Sequence, residues 1–193
     1  MKRKFIVLEG LDGSGKTSVG ETLAKDYSYE LVITPGDEFQ MGSIIEKKGH
    51  FARLMYYYAG NFSASNYISK VSNNVVCNRY IFSTLASFSY FSNISINETY
   101  EMMKLLNEKI LLPDYVIYLS VPRNILIERL KSRGNNNMSF LDNYILNNDS
   151  AALENNYLSL FEKMSNQIKY AVVSSDDLVE RTCKKIIDII SDN

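Results

Sequence analysis

The sequence predicts an α/β fold of three layers, a central five-stranded parallel sheet flanked by helices. Apolar β-type runs alternate with helical stretches along the whole chain, the signature of a parallel sheet covered on both faces. The first apolar run, Phe5-Ile6-Val7-Leu8, leads directly into Gly10-Leu11-Asp12-Gly13-Ser14-Gly15-Lys16-Thr17, and a helix-forming stretch, Ser18 to Asp26, leads out. Strand, glycine-rich loop and helix in that order are the context a P-loop requires. Of the 193 residues, 46% are hydrophobic and 22% charged, the balance of an ordinary globular chain of one compact domain.

The strands are expected at Lys4–Glu9, Tyr29–Thr34, Val75–Asn78, Tyr115–Ser120 and Ile168–Val173. Helical stretches are expected at about 16–26, 51–71, 80–91, 97–111, 122–132, 140–166 and 176–191. Pro35-Gly36 ends the second strand in a loop. Pro113 closes a helix before the fourth strand, and Pro122 opens the helix after it. Ser175-Asp176-Asp177 suits a cap for the last helix. Arg133-Gly134 and the run Asn135-Asn136-Asn137 read as a loop between two helices, a lid at about 133–149.

Chemistry concentrates in the P-loop. Its glycines let backbone N–H groups wrap toward phosphate oxygens, Lys16 brings a point charge toward β- and γ-phosphates, and the Thr17 hydroxyl suits a Mg²⁺ ligand. Gly10, Asp12, Gly13, Ser14, Gly15, Lys16, Thr17 and Ser18 are therefore expected to bind a nucleoside triphosphate. Ligands of open parallel sheets gather at the carboxyl ends of the strands. That places Pro35 after the second strand and Asn78-Arg79-Tyr80 after the third near the same site. The aromatic run Tyr56-Tyr57-Tyr58 with Phe62 offers a wall for a flat ring, although most of these rings suit core packing equally well.

Other features argue against competing classes. A net charge of −1 gives no basic field for nucleic acid. No apolar run approaches the ~20 residues of a membrane span, and the strand after Lys2-Arg3-Lys4 is too short for a signal-peptide core. Cys77 and Cys183 fall in a predicted strand and helix and read as reduced core residues of a cytoplasmic protein. His50 reads as a helix-start or surface residue.

Several segments together resemble the thymidylate kinase family of P-loop nucleoside monophosphate kinases. Phe5 through Thr17 is similar to that family's opening signature, including the acidic residue inside the loop. Asn78-Arg79-Tyr80-Ile81-Phe82-Ser83 is similar to its Asp-Arg-Tyr/His-x-x-Ser motif. Leu112-Pro113-Asp114-Tyr115 through Leu119-Ser120-Val121-Pro122 resembles its Pro-Asp-strand-Val-Pro segment, and Ile127 through Gly134 resembles the helix entering its lid. The resemblance implies a P-loop kinase fold, ATP as donor, Mg²⁺, nucleotide substrates and commonly a homodimer. It also implies that Asp12 faces the acceptor sugar, that Arg79 binds phosphate between donor and acceptor, and that Tyr57 lies near the base-stacking position. Arg129 and Arg133 approach the ATP side from the lid stem, Arg133 as a catalytic cation. Arg129 reads equally as part of a solvated helix face.

The departures point to a changed acceptor. Asn78 replaces the aspartate of the third-strand motif, leaving an amide that can reach Mg²⁺ only through water. Ile33-Thr34-Pro35-Gly36 replaces Arg-Glu-Pro-Gly, removing an arginine from the acceptor phosphate. Asn61 stands where the thymine-contacting arginine is expected, and Ser87-Phe88 replaces a tyrosine–glutamine pair. After Arg133 the next basic residue is Lys163, so the lid carries no cation of its own. The acceptor set is therefore read as Asp12, Pro35, Tyr57, Asn61, Arg79 and Phe88. The leading reading is a monophosphate kinase with altered base specificity. A kinase for a deoxynucleoside or another hydroxyl acceptor is the alternative, with Asp37 or Glu38 as base. A weakly active nucleotide-binding regulator is a third.

Overall fold

The structure, a computed structural model, describes residues 3–132 and 139–191. Five strands, β1 (Phe5–Glu9), β2 (Glu30–Ile33), β3 (Val75–Asn78), β4 (Tyr115–Ser120) and β5 (Lys169–Ser174), form one sheet in the order β2-β3-β1-β4-β5. Every pairing is parallel. The predicted strands are present within a residue or two of their expected bounds.

Strand periodicity builds the two cores. Phe5, Val7, Val75, Cys77, Val116 and Tyr118 point to one face; Ile6, Leu8, Val76, Tyr115, Ile117 and Leu119 point to the other. The second face is covered by α1 (Lys16–Tyr27) and α9 (Val179–Ser191), through Val19, Leu23, Cys183, Ile186 and Ile190. The first is covered by α3 (His50–Ile68), α4 (Ile81–Ser92), α5 (Ile96–Asn107) and α8 (Ala151–Lys163). Both cysteines are buried and free. No described helix is long and apolar enough to cross a membrane.

Two elements differ from expectation. A short helix, α2 (Gly42–Ile45), lies in the loop after β2. The stretch expected to be one helix at 140–166 is broken into α7 (Phe140–Asn147) and α8. Asn147, Asn148, Asp149 and Ser150 are weak helix formers whose side chains compete for backbone groups. Asp149 accepts from Ala151 N at 3.0 Å, and Arg123, at the start of α6 (Arg123–Ser132), donates to Asn148 O at 2.8 Å, past the end of α7.

The loop after β2 is pressed against α3. A Cβ added at Gly60 would lie 2.7 Å from Pro35 Cβ and 3.1 Å from Pro35 Cα. Alanine there gains ~1 kcal/mol of helix propensity but overpacks by ~1–3 kcal/mol. We expect Gly60→Ala to lower the melting temperature by a few degrees, about 2–4 °C per kcal/mol at this size, and to raise KM for the acceptor by displacing Pro35. A scanning-calorimetry trace and a Michaelis curve check both; an unchanged KM would detach Pro35 from the acceptor.

Candidate active site

β1 ends at the middle of the sheet between β3 and β4, the crevice where ligands collect. Gly10 and Gly13 shape the loop there, with φ of 142° and 87°, a region L side chains avoid. A Cβ at Gly10 would also fall 2.7 Å from Leu119 O, so the loop can approach β4 only with glycine. Gly15 caps α1 with no side-chain bond, and the first intrahelical bond runs from Val19 N to Gly15 O at 3.0 Å. Ser14 N donates to Leu11 O at 3.1 Å, whereas the amides that open α1 before Val19 have no intrahelical acceptor, an anion-binding arrangement. Thr17 and Ser18 are exposed at this end.

Lys16 is 8% exposed, and its Nζ donates to Gly10 O at 2.9 Å, Leu11 O at 2.7 Å and Ser14 Oγ at 3.3 Å. The ammonium thus also organises the loop. Arg129 Nη1 donates to Gly13 O at 3.4 Å and Nη2 to Ser175 O at 2.8 Å. Its place is on the P-loop, not on a solvated face. Ser175, expected only as a cap residue, also donates from Oγ to Ser14 O at 2.6 Å. Arg133 lies outside the described residues.

Arg79 follows β3 with φ of 65°, a strained conformation for a non-glycine residue that costs of order 1–3 kcal/mol. Its N–H donates to Leu8 O at 3.0 Å, and its carbonyl accepts from Thr34 Oγ1 at 2.9 Å, so β1 and β2 both hold it. The guanidinium forms an ion pair with Asp12 across the crevice. Burial alone would pull the guanidinium pKa down, but the charges of Asp12, Tyr157 and Glu9 and the Asp12 hydrogen bond outweigh it and hold the pKa above its ordinary value.

Glu9 ends β1 fully buried. Its carboxylate accepts from Tyr80 N at 2.9 Å, Ser83 N at 3.2 Å and the Ser83 hydroxyl, capping the start of α4. Burial nevertheless raises its pKa, opposed by the Ser83 bond and by the charges of Arg79 and Lys16. Sequence reasoning assigned Glu9 no role; a carboxylate ending an apolar strand was the available signal.

Beside the Asp12–Arg79 pair lies a cavity of about 360 Å³, lined by Asp12, Pro35, Tyr57, Asn61, Arg79 and Phe88, the whole acceptor set expected from the sequence. Its size falls in the usual range of small-molecule sites, ~300–1,000 Å³. Tyr57 and Asn61, one turn apart on α3, share the wall, whereas Tyr58 is core and bonds Asn107, and Tyr56 donates to Phe39 O at 2.8 Å. Burial, then the Glu46 charge, raises the Tyr57 pKa, against the opposing Arg53 and Arg79 charges; the phenol stays neutral.

Glu46, His50 and Arg53 also line the cavity without having been singled out as acceptor residues. Arg53 precedes Tyr57 by one turn, a spacing that could have found it. Its guanidinium lies 5.4 Å from the Phe91 ring and 5.2 Å from the Phe140 ring. Asp37 and Glu38 do not line the cavity, and Glu38 accepts from Ser63 Oγ at 2.6 Å.

Asn78 sits lower than expected. It is 5% exposed, its Oδ1 is buried without a hydrogen-bond partner, and a Cβ on Gly20 would lie 2.7 Å from that oxygen. Gly20 is about one turn along α1 from Thr17. An exposed hydroxyl and an orphan oxygen along one helix fit a Mg²⁺ that arrives on ATP and keeps most of its waters. Among the described residues no group of three or more His, Cys, Asp or Glu could hold a metal.

The thymidylate kinase family model matches residues 8–186, from the end of β1 through the P-loop and the cavity walls into the last helix. The chain belongs to the thymidylate kinase family. It is a phosphotransferase that acts on nucleotides, with ATP as the donor the family implies. The thymidylate kinase of Caldicellulosiruptor saccharolyticus is 27% identical over 210 residues, covering 100% of this chain and 98% of that one. The probable thymidylate kinase of Pyrococcus abyssi is 29% identical over 211 residues, covering 98% and 97%. Among solved structures, thymidylate kinase from Candida albicans superposes with a TM-score of 0.74 at 17% identity, covering 100% and 92%. Deoxyadenosine kinase from M. mycoides with bound dATP superposes with a TM-score of 0.71 at 20% identity, covering 97% and 99%. At these identities the two structures show the shared fold.

Proposed function

We propose that this thymidylate kinase family member transfers the γ-phosphate of ATP to a nucleoside monophosphate whose base is not thymine. The observation that carries the reading is the cavity beside the Asp12–Arg79 pair, whose wall holds Asn61 and Phe88, positions where the resemblance implies an arginine and a glutamine. Amides of the P-loop and of the first turn of α1 cradle the ATP phosphates, with Lys16 neutralising them and Arg129 bracing the loop. Mg²⁺, held by Thr17 and approached through water from Asn78, supplies charge neutralisation at the phosphates when bound. Asp12 meets the acceptor sugar, Tyr57 and Phe88 flank the base, and Pro35 closes the side. Arg79 spans donor and acceptor phosphates, where a guanidinium fork fits two sets of oxygens. Arg133 is assigned to the same phosphates from the sequence. A phosphate acceptor is already an anionic nucleophile, so this chemistry needs no base. The hydroxyl-acceptor alternative does need one, and its candidates Asp37 and Glu38 stand outside the cavity. We extend the proposal to a homodimer, which sedimentation velocity tests.

Thymidine monophosphate is expected to be a poor acceptor. Ile33, Asn61 and Ser87-Phe88 together remove three family contacts, and a charge-assisted hydrogen bond contributes ~1.5–3 kcal/mol. Losing two lowers kcat/KM by orders of magnitude unless other contacts replace them. Purified protein with Mg-ATP and a panel of nucleosides and monophosphates, read by ADP release and product mass, decides it. Thymidine monophosphate as the best acceptor at ordinary turnover would restore the plain family activity; nucleoside turnover alone would favour the hydroxyl reading. ATP binding with no transfer to any acceptor would favour a regulator.

A further inference from the structure

We propose that Asn61 selects acceptor bases carrying an amino group beside an unprotonated ring nitrogen, as cytosine and adenine do, over the imide edge of uracil and thymine. The inference rests on the monophosphate-kinase reading above and turns on the direction of one buried hydrogen bond.

Asn61 is 1% exposed and lines the cavity one turn after Tyr57. Its Nδ2 and Thr84 Oγ1 are 3.0 Å apart. A threonine hydroxyl has one proton, and Thr84 directs it to Tyr80 O, one turn back on its own helix, at 3.5 Å. That contact is long for a hydroxyl donor, so the network as a whole sets the direction: Oγ1 accepts, and the amide turns its NH₂ toward Thr84. Its Oδ1, with two lone pairs and no bond to a described residue, is the atom Asn61 offers to a ligand. An arginine at this position would only donate and would suit a carbonyl. Asparagine held this way accepts and suits an amino group.

The neighbouring polar groups sharpen the choice. The Ser83 hydroxyl is committed to Glu9 and the Thr84 hydroxyl to Tyr80. Ser87, which also lines the cavity between them and Phe88, keeps its hydroxyl for a ligand. An acceptor from Asn61, with the Ser87 hydroxyl in the same cavity able to donate, suits an amino group beside a ring nitrogen. The imide edge presents carbonyl and N–H in the opposite order, setting its carbonyl against Oδ1. An unmatched buried acceptor is costly, which makes such pairs discriminating.

Deoxycytidine and deoxyuridine monophosphate differ only on this edge and form the cleanest test. We expect kcat/KM for the cytosine nucleotide to exceed that for the uracil nucleotide by about tenfold or more, with the same order in calorimetric binding. Thr84→Val, nearly isosteric, releases the amide to turn over and should bring the ratio toward one. Thr84→Ser keeps the hydroxyl and should retain the preference, which separates positioning from loss of packing. A uracil preference, equal use of the pair, or a ratio unmoved by Thr84→Val overturns the inference while leaving the monophosphate reading intact. Absence of transfer to every monophosphate would overturn that reading itself.

Discussion

Lys16→Ala is expected to abolish ATP-dependent turnover, lowering kcat by at least ~10³-fold. The lysine is a cation built into the hollow where the transferred phosphate sits, and such preorganised charge is worth several kcal/mol in a transition state that spreads charge over phosphate oxygens. The substitution should also cost stability. Lys16 donates to Gly10 O, Leu11 O and Ser14 Oγ, so the side chain ties the loop together. The sequence alone suggests a lysine with no packing role and no stability cost; the geometry corrects that. A loss of ~1–3 kcal/mol follows from leaving those carbonyls without their donor, a shift of several degrees in melting temperature. Steady-state ADP release and a melting curve measure the two effects separately. Turnover within about tenfold of the parent would remove the P-loop from the mechanism.

Where local chemistry decides a feature, it was legible. Phe5 through Glu9 can be little else than a buried strand, and Gly10 and Gly13 adopt positive φ because the turn requires it. The placing of Tyr57 and Asn61 in the acceptor set followed from the family resemblance, and the one helical turn between them puts both on one wall. Tertiary packing decided the rest. Arg53 looked like any helical arginine because the rings that hold it, Phe91 and Phe140, come from helices far along the chain. The burial of the Asn78 amide depends on the close pass of α1 at Gly20, which its place at the end of β3 does not announce. The break between α7 and α8 has local causes in Asn147 to Ser150, but Arg123 reaching Asn148 O is a long-range bond no helical periodicity announces. Glu9 was hidden for the same reason, since its partners Tyr80 and Ser83 belong to another strand-to-helix turn.

Arg79→Ala is expected to lower kcat by ~10²–10³-fold while changing the affinity for ATP little. The strained backbone, gripped by Leu8 O and Thr34 Oγ1, holds the guanidinium at the mouth between the P-loop and the cavity. Placed there, it meets the charge that redistributes as phosphoryl moves, and interactions that strengthen only in the transition state appear in kcat. The ion pair with Asp12 gives the variant a second consequence. Asp12 would lose its ion pair with Arg79 in a half-buried crevice, at a cost of ~1–3 kcal/mol, so some loss of stability accompanies the loss of rate. Arg79→Lys separates the two. It keeps the charge beside Asp12 but not the two-pronged donor, so it should recover most of the melting temperature and little of the kcat. Single-turnover rates with both variants, compared with their melting curves, carry the test. If Arg79→Lys restores rate and stability together, or if Arg79→Ala lowers stability alone, Arg79 is a structural partner of Asp12 and the phosphate contact belongs to another group.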